Sequence, residues 1–247
     1  MPTVFLSPST QDWNPYVTGT GSEEYHMNLL VDALIPFLEA NAIQYGRNDP
    51  DGTAADAIRM GNSSNYDFYL ALHSNASPEA QAGRVRGIIV FYYPGSANGF
   101  RAAELIAEEL REVYPLPQLV TTRPTTSLGE VRRPQAPSVL VEIGYHDNYD
   151  DATWIENNTP AIAEALARAL TSYFDVPFIY PIEPFSAVVR VNFGTLNLRE
   201  RPDSSAPIIA DLPNGAEVMV YGAWNGWYVV HWRDFAGYAA AAYIDRD

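Results

Sequence analysis

Short apolar runs alternate, over roughly the first 174 residues, with stretches whose apolar side chains recur every three or four positions. Runs of the first kind predict β-strands, and the second spacing predicts amphipathic helices. Their alternation is typical of an α/β fold, so we expect a mostly parallel twisted sheet with helices on both faces. Strands are predicted at 4–7, 42–47, 68–72, 87–93 and 138–145, and helices after an N-cap at Ser22 and at 53–63, 102–113 and 161–173.

The pattern changes after residue 173. Residues 175–184 contain three prolines, which predict an extended and fairly stiff linker. Beyond them, short β-branched and aromatic runs are separated by turn residues, and this predicts a small all-β barrel. We therefore divide the chain into an α/β domain at 1–175, a linker at 176–186 and a β domain at 187–247.

Composition limits the partners and the possible metal ligands. The 247 residues include 30 acidic and 15 basic side chains, for a net charge of −15, which disfavours nucleic acid and anionic membranes as partners. Cysteine is absent, so zinc would need nitrogen and oxygen ligands. The first residues lack a basic stretch followed by a long apolar run, so we expect neither a signal peptide nor a membrane span.

Two predicted strands end in residues that bind metals or transfer protons. His73 follows the run at 68–72, while Glu142 and His146 lie at or just beyond the end of the run at 138–145. The carboxyl ends of parallel strands meet at one edge of a sheet, where α/β proteins bind their ligands. The sequence therefore predicts a site at this edge.

The first helix, which follows the first predicted strand and its loop, adds a carboxylate. The helix after Ser22 opens with Glu23 and Glu24, and one of them should point toward the sheet edge, but the helical period does not decide which. A carboxylate, His73 and another nitrogen ligand would leave zinc one open position for water. A further carboxylate would then act as general base.

Three motifs give this chemistry a context. Glu24 stands four residues before Asn28-Leu29, the segment Leu-Ala-Leu-His-Ser-Asn-Ala occupies 70–76, and Val-Glu-Ile-Gly-Tyr occupies 141–145. Together they resemble the zinc-dependent N-acetylmuramoyl-L-alanine amidases of bacteria, over nearly all of residues 3–174.

The resemblance implies roles for particular residues. In that family, a Glu four residues before an Asn-Leu pair binds zinc, as does the His of a Ser-x-His-x-Asn strand end, and a Glu in a Glu-x-Gly-Phe-like strand end is catalytic. The resemblance thus favours Glu24 over Glu23 as a zinc ligand, with His73 as another ligand and Glu142 as the catalytic residue.

One family motif is incomplete. Where the family has Asp-Pro-Gly-His, this chain has Ser-Pro-Ser-Thr at 7–10, so the first zinc-binding His is missing. His26 lies two positions after Glu24, on the opposite side of the helix, and His231 belongs to the β domain. His146 is therefore the best replacement. We expect Zn²⁺ to be held by Glu24, His73 and His146.

The alternative for His146 is a hydrogen bond within a turn, with water or the Ser9–Thr10 loop completing the coordination. Substrate contacts are expected from Asn14 in the first loop, from Asn75 beside His73, and from Arg133, whose charge suits stem-peptide carboxylates.

The β domain also resembles a known module. Leu-Asn-Leu-Arg-Glu-Arg-Pro at 196–202, Leu-Pro-Asn-Gly at 212–215 and Asn-Gly-Trp-Tyr-Val-Val at 225–230 are similar to motifs of the bacterial SH3 domains attached to wall hydrolases. The resemblance implies binding of wall peptides, with Trp227 as a candidate contact.

The sequence thus predicts a peptidoglycan hydrolase. We expect it to cleave the amide bond between N-acetylmuramic acid and L-alanine, as a monomer or weak oligomer that acts at the bacterial wall after lysis or non-classical export. Peptidoglycan is the expected partner, without nucleic acid or membrane. The alternative is a non-catalytic wall-binding protein that kept a degenerate amidase domain.

Overall fold

The structure, a computed structural model, describes residues 1–246. The chain forms two compact units. The larger unit consists of Thr3–Leu34 and Tyr45–Phe174, and the smaller of Met1–Pro2, Ile35–Gln44 and Asp175–Asp247. Among residues 1–246, none of the helices combines the length and the apolar character that a membrane crossing requires.

A six-stranded sheet organises the first 174 residues. Its strands are β1 (Thr3–Pro8), β2 (Gln44–Arg47), β3 (Phe68–Asn75), β4 (Ile88–Tyr92), β5 (Val120–Pro124) and β6 (Ser138–Tyr145). Their order is β2-β1-β3-β6-β4-β5. The pairs β1–β3, β3–β6 and β4–β5 are parallel, whereas β4 runs antiparallel to β6. The predicted mostly parallel α/β sheet is confirmed, with one antiparallel pair.

Residues 1–246 contain five α-helices. They are α1 (Glu23–Ala40), α2 (Ala54–Gly61), α3 (Ala97–Val113), α4 (Gly129–Arg132) and α5 (Tyr149–Phe174). The Ser22 hydroxyl accepts a hydrogen bond from the Tyr25 backbone N–H (3.1 Å), which confirms Ser22 as the N-cap of α1. The predicted helix at 161–173 is the second half of α5. Strand β5 and helix α4 are absent from the sequence prediction.

The central strands explain why several functional residues come together. Residues 68–72 of β3 and the apolar residues of β1 and β6 are almost fully buried, as expected for strands covered on both faces. Because β1, β3 and β6 are mutually parallel, their carboxyl ends meet at one edge. That edge carries the loop after Pro8, then His73 and Glu142.

The smaller unit contains an antiparallel sheet. Its strands are β7 (Phe185–Val189), β8 (Thr195–Arg199), β9 (Ile208–Pro213), β10 (Glu217–Trp224), β11 (Trp227–Trp232), β12 (Phe235–Ala240) and β13 (Ile244–Arg246). They follow the order β13-β7-β10-β11-β12-β8-β9. Val189, Leu198, Val220 and Val230 lie in its core. The predicted all-β module is confirmed.

The proline-rich segment is anchored within the smaller unit. Residues 176–184 have no regular secondary structure, yet Ile179 is buried. The Asn41 side chain accepts from the Ile179 N–H (2.7 Å) and donates to the Ile179 carbonyl (2.9 Å). This segment and Ile35–Gln44 thus belong to one unit, whereas the predicted division places 35–44 in the catalytic domain.

Candidate active site

His73 lies between two carboxylates at the end of β3. Its Nδ1 is 2.9 Å from Oε1 of Glu23, and its Nε2 is 2.9 Å from Oε2 of Glu130. The His73 residue is only 9% exposed. Both ring nitrogens are therefore engaged by carboxylates from other elements.

This arrangement shifts all three pKa values. Burial alone would lower the pKa of His73, but hydrogen bonds to Glu130 and Glu23 outweigh it and raise that pKa well above its usual value. Burial would raise the pKa of Glu23 and of Glu130, yet the hydrogen bond and charge of His73 lower both. The two carboxylates thus favour the protonated form of His73.

Glu23 is the carboxylate that α1 directs into the sheet edge. It is the first residue of α1 and only 1% exposed. Its Oε2 accepts from Asn14 Nδ2 (2.8 Å), and its Oε1 accepts from Gln11 Nε2 (3.2 Å) and from the Ser74 backbone N–H (3.4 Å). The loop after β1 therefore fixes both carboxylate oxygens.

Glu24, the predicted ligand, points elsewhere. It is partly exposed, and its Oε1 accepts from Asn28 Nδ2 (2.9 Å) one turn along the helix. Consecutive residues of an α-helix are rotated by about 100°, so a helix that directs Glu23 inward carries Glu24 away. The structure places Glu23 beside His73, where the family spacing placed Glu24.

Glu130 is the site residue that the sequence prediction missed. It is buried on α4, and its Oε1 accepts from the Ser7 hydroxyl (2.5 Å) and the Tyr69 hydroxyl (2.9 Å). A helix of four residues is too short to show an apolar period. Glu130 also belongs to none of the three motifs, so no local signal marked it.

Glu142 occupies the position expected of the catalytic residue. It is the register partner of His73 on the neighbouring parallel strand β6. The side chain is partly buried, and its Oε2 has no hydrogen-bond partner among the described residues. Burial raises the pKa of Glu142 to about 7; the charge of His73 opposes this shift, and Glu23 and Glu130 add to it.

His146 is not brought to His73. Its Nδ1 lies 2.9 Å from the Ser74 carbonyl oxygen, and its ring stacks on Tyr16 with the centroids 5.8 Å apart. A bulge between the His73 and Asn75 register positions shifts the pairing before His146, and spacing cannot reveal a bulge. In residues 1–246, no three His, Cys, Asp or Glu side chains are placed to hold one metal ion.

The structure therefore does not assemble the predicted set of Glu24, His73 and His146. It does supply two donors of the types that zinc prefers, the Glu23 carboxylate and the His73 imidazole. Glu130 holds the opposite ring nitrogen, as partner carboxylates of metal-binding histidines do. Within residues 1–246 the structure thus offers zinc one carboxylate and one imidazole, with Glu23 in place of Glu24, and no third ligand of these types.

The predicted substrate contacts have different environments. Asn14 donates a hydrogen bond to Glu23 (2.8 Å). Asn75 accepts a hydrogen bond from the Ala76 backbone N–H at the end of β3 (2.8 Å), and Arg133 is exposed immediately after α4. A cavity of about 300 Å³ lies beside His73 and Glu130, and Thr10, Gln11 and Trp13 also line it.

The smaller unit carries a groove of about 520 Å³. Phe193, Trp227 and Tyr243 line it together with Asn197 and Arg199. Phe193 is 90% exposed, which is unusual for a large apolar side chain. Trp227, the predicted contact, thus lies on an aromatic groove.

The fold is that of an α/β protein whose site forms at the carboxyl ends of parallel strands, followed by a small β domain. The family model described as N-acetylmuramoyl-L-alanine amidase matches residues 14–172. The model of the bacterial SH3 domain matches residues 194–245. The chain belongs to the N-acetylmuramoyl-L-alanine amidase family and carries a bacterial SH3 domain, which confirms both resemblances.

Solved amidase structures share the fold. The amidase AmiC2 of Nostoc punctiforme is 20% identical, with a TM-score of 0.62 over 70% of this chain and 97% of that chain. The CwlD amidase of Clostridioides difficile, solved with the GerS lipoprotein, is 17% identical, with a TM-score of 0.61 over 71% and 99%. Ami1 of Mycobacterium smegmatis is 17% identical, with a TM-score of 0.60 over 70% and 97%. No curated protein sequence matches this chain.

Proposed function

We propose that this chain hydrolyses the amide bond between the lactyl group of N-acetylmuramic acid and L-alanine of the stem peptide, with Glu142 as the proton-transferring residue. One observation carries the proposal: Glu142 lies beside His73 in register, with one carboxylate oxygen unpaired and a pKa raised to about 7. Family membership supplies the bond that is cleaved.

Glu142 has the properties of a general base that later acts as an acid. A carboxyl with a pKa near 7 is present in both protonation states at neutral pH. It can take a proton from the attacking water while the new carbon–oxygen bond forms. It can then give that proton to the amine as the carbon–nitrogen bond breaks, which releases a lactyl carboxylate and the amino group of L-alanine.

Zinc dependence is part of this proposal. Glu23 and His73 are the residues that would hold the ion, since their donor atoms face each other at 2.9 Å. Bound zinc supplies an electrophile that polarises the amide carbonyl and lowers the pKa of water. A proton on Nε2 of His73, held by Glu130 at 2.9 Å, would leave the Nδ1 lone pair free to bind the ion.

The SH3 domain is proposed to hold the enzyme on its insoluble substrate. The aromatic groove of Phe193, Trp227 and Tyr243 offers flat apolar faces, and Asn197 and Arg199 add hydrogen-bond donors. Tethering a binding module raises the effective concentration of the catalytic domain at the wall. We further propose that the protein reaches the wall after lysis or non-classical export.

Digestion of purified peptidoglycan tests the activity. The expected product is new amino-terminal L-alanine, without new reducing sugars. The Glu142→Gln variant should release no amino-terminal L-alanine. New reducing sugars with no new amino termini would contradict the proposal, because they indicate cleavage of the glycan strand.

A second candidate is wall binding without cleavage. The observation that favours it is the loop after β1, which holds Thr10 where the family carries a zinc-binding His. If the full chain sediments with peptidoglycan yet releases no L-alanine termini when zinc is present, this second function replaces the first.

A further inference from the structure

The cavity beside His73 is lined by the end of β1, by the loop that follows it and by the beginning of α2. Its volume is about 300 Å³. Apolar side chains line it from both regions, namely Pro8, Trp13, Ala54 and Ala57. Ligand pockets usually occupy about 300–1,000 Å³, so this cavity has room for one substituent or ring rather than for an extended peptide.

Asn48, the first residue after β2, also lines this cavity. Its backbone N–H donates to the Leu6 carbonyl (3.1 Å), and its Nδ2 donates to the Pro8 carbonyl (3.0 Å). Asn48 is 5% exposed, and its Oδ1 has no hydrogen-bond partner among residues 1–246. Turning the amide over would place that oxygen against the Pro8 carbonyl, so the hydrogen bonds fix Oδ1 as the unpaired atom.

The unpaired oxygen of Asn48 indicates what the cavity binds. Buried side-chain acceptors in proteins are nearly always hydrogen-bonded, so an exception requires an explanation. A ligand N–H or O–H in the cavity would supply the donor. Ala54 and Ala57 offer small apolar surfaces to the rest of such a ligand. One acceptor among apolar side chains is the complement of an acetamido group, which carries one N–H and one methyl group.

The charges around the cavity favour a neutral occupant. Among the described residues that line it, none is Arg or Lys. A carboxylate of the stem peptide would find only the imidazole of His73, which already lies between Glu23 and Glu130. Glu130 itself lines the cavity and repels anions. The sugar side of the substrate therefore suits this cavity better than the peptide side.

We propose that the cavity receives the acetamido group of N-acetylmuramic acid and that Asn48 Oδ1 accepts a hydrogen bond from its N–H. This inference rests on the proposed amidase activity. The acetamido group and the lactyl ether of muramic acid are on neighbouring ring carbons. His73 lines the cavity and is also the register partner of Glu142. A substrate with its lactyl amide at Glu142 thus has its acetamido group near the cavity.

Trp13 supports the same orientation of the substrate. It lines the cavity and is 69% exposed, so its indole offers a flat apolar face to the sugar ring. Asn48 is then a residue that determines specificity. A site that accepts a hydrogen bond from a substrate N–H discriminates against an analogue without that N–H, because the buried acceptor stays unpaired.

Two soluble probes test the proposal with the full-length chain. One is N-acetylmuramoyl-L-alanyl-D-isoglutamine, and the other has an acetate ester in place of the acetamide, which removes only the N–H. In the wild type, kcat/KM for release of the peptide should be at least about tenfold higher for the acetamide. Asn48→Leu, which lacks the acceptor, should bring this ratio close to one. No preference in the wild type, or an unchanged ratio in Asn48→Leu, overturns the proposal.

A second variant tests the cavity without altering Asn48. Ala54 is exposed at the start of α2 and lines the cavity. Ala54→Phe should therefore obstruct it and lower kcat/KM for the acetamide probe at least about tenfold, because the substrate is displaced from its position. Ala55→Phe is the matched control, since Ala55 is exposed on the same helix outside the lining. Equal values for the two variants overturn the proposal.

Binding of the two probes, measured by calorimetry, separates this inference from the proposed activity. Tighter binding of the acetamide probe without hydrolysis keeps the assignment of the cavity and removes the activity. Hydrolysis of peptidoglycan by a chain that binds both probes equally, or binds neither, keeps the activity and removes the assignment.

Discussion

Glu130 and His73 are separated by 57 residues in the chain, yet Glu130 Oε2 lies 2.9 Å from His73 Nε2. Ser7 and Tyr69 donate hydrogen bonds to the other oxygen of Glu130. Ser7 and Tyr69 thus hold the Glu130 carboxylate in place, and that carboxylate orients the His73 imidazole. Orientation of His73 depends on a residue that no sequence motif includes.

Glu130→Gln should reduce zinc affinity. The amide keeps the size of the side chain but loses the charge that holds the His73 Nε2–H, and loss of such a partner typically costs 10–100-fold in affinity. Chelator competition measures the change. Tyr69→Phe, which removes one hydrogen bond to Glu130 and keeps its charge, should lose less; a larger loss in Tyr69→Phe would contradict this role of Glu130.

Glu23→Gln and Glu24→Gln form a matched pair on one helix turn. Glu23→Gln should lose zinc binding and wall hydrolysis, because its carboxylate is buried against His73. Glu24→Gln should retain both, since its carboxylate contacts Asn28. Zinc stoichiometry and release of L-alanine termini are the measurements, and the opposite ranking would restore the ligand predicted from sequence.

Glu142→Gln should abolish hydrolysis and make the protein more stable at high pH. The raised pKa means that the folded protein binds this proton more tightly than the unfolded chain, so stability is lost as pH rises through about 7. Each pKa unit corresponds to about 1.4 kcal/mol, and a shift of this size is on the order of 3 kcal/mol.

A Gln side chain stays neutral at every pH, as the protonated carboxyl is. The Glu142→Gln variant should therefore not lose stability as the pH rises through about 7. The melting temperature of Glu142→Gln should therefore exceed that of the wild type by more at pH 8 than at pH 5. A difference that does not vary with pH would show that Glu142 titrates in the folded protein at its ordinary value.

His146→Ala should leave zinc binding unchanged. The imidazole bonds to Ser74 and stacks on Tyr16, so its loss should cost stability, on the order of 1–3 kcal/mol for a buried hydrogen-bonding group. Zinc stoichiometry and thermal unfolding separate the two effects. Loss of zinc from a variant that remains folded would return His146 to the metal site.

Phe193→Ala and Trp227→Ala should weaken attachment to the wall. Both residues line the groove of the SH3 domain, and truncation of an aromatic contact residue often costs about tenfold or more in affinity. Cosedimentation with insoluble peptidoglycan measures binding. Phe193→Ala should melt like the wild type because the ring is 90% exposed, so unchanged cosedimentation would exclude this groove.

Local patterns were sufficient for much of the fold. Apolar runs and helical spacing located the strand that carries His73, the strand that carries Glu142 and the N-cap at Ser22, because these signals come from neighbours in the chain. Strand β5 was not predicted because it is short and partly exposed. Helix α4 was not predicted because it has only four residues.

The choice between Glu23 and Glu24 shows the limit of motif spacing. Spacing to Asn28-Leu29 favours Glu24, but the residue that faces the sheet depends on the rotation at which α1 packs. One residue changes that direction by about 100°. Tertiary packing therefore decides which of the two carboxylates lies beside His73.

The sequence by itself determined the fold class, the amidase and SH3 resemblances, and His73 and Glu142 as residues of one sheet edge, because parallel strands place their ends together. Only the tertiary structure decided that Glu23, Glu130 and Gln11 surround His73 and that His146 does not. Those contacts join segments far apart in the chain, and their geometry depends on helix rotation, a strand bulge and loop course. None of these three features has a spacing that can be read along the chain.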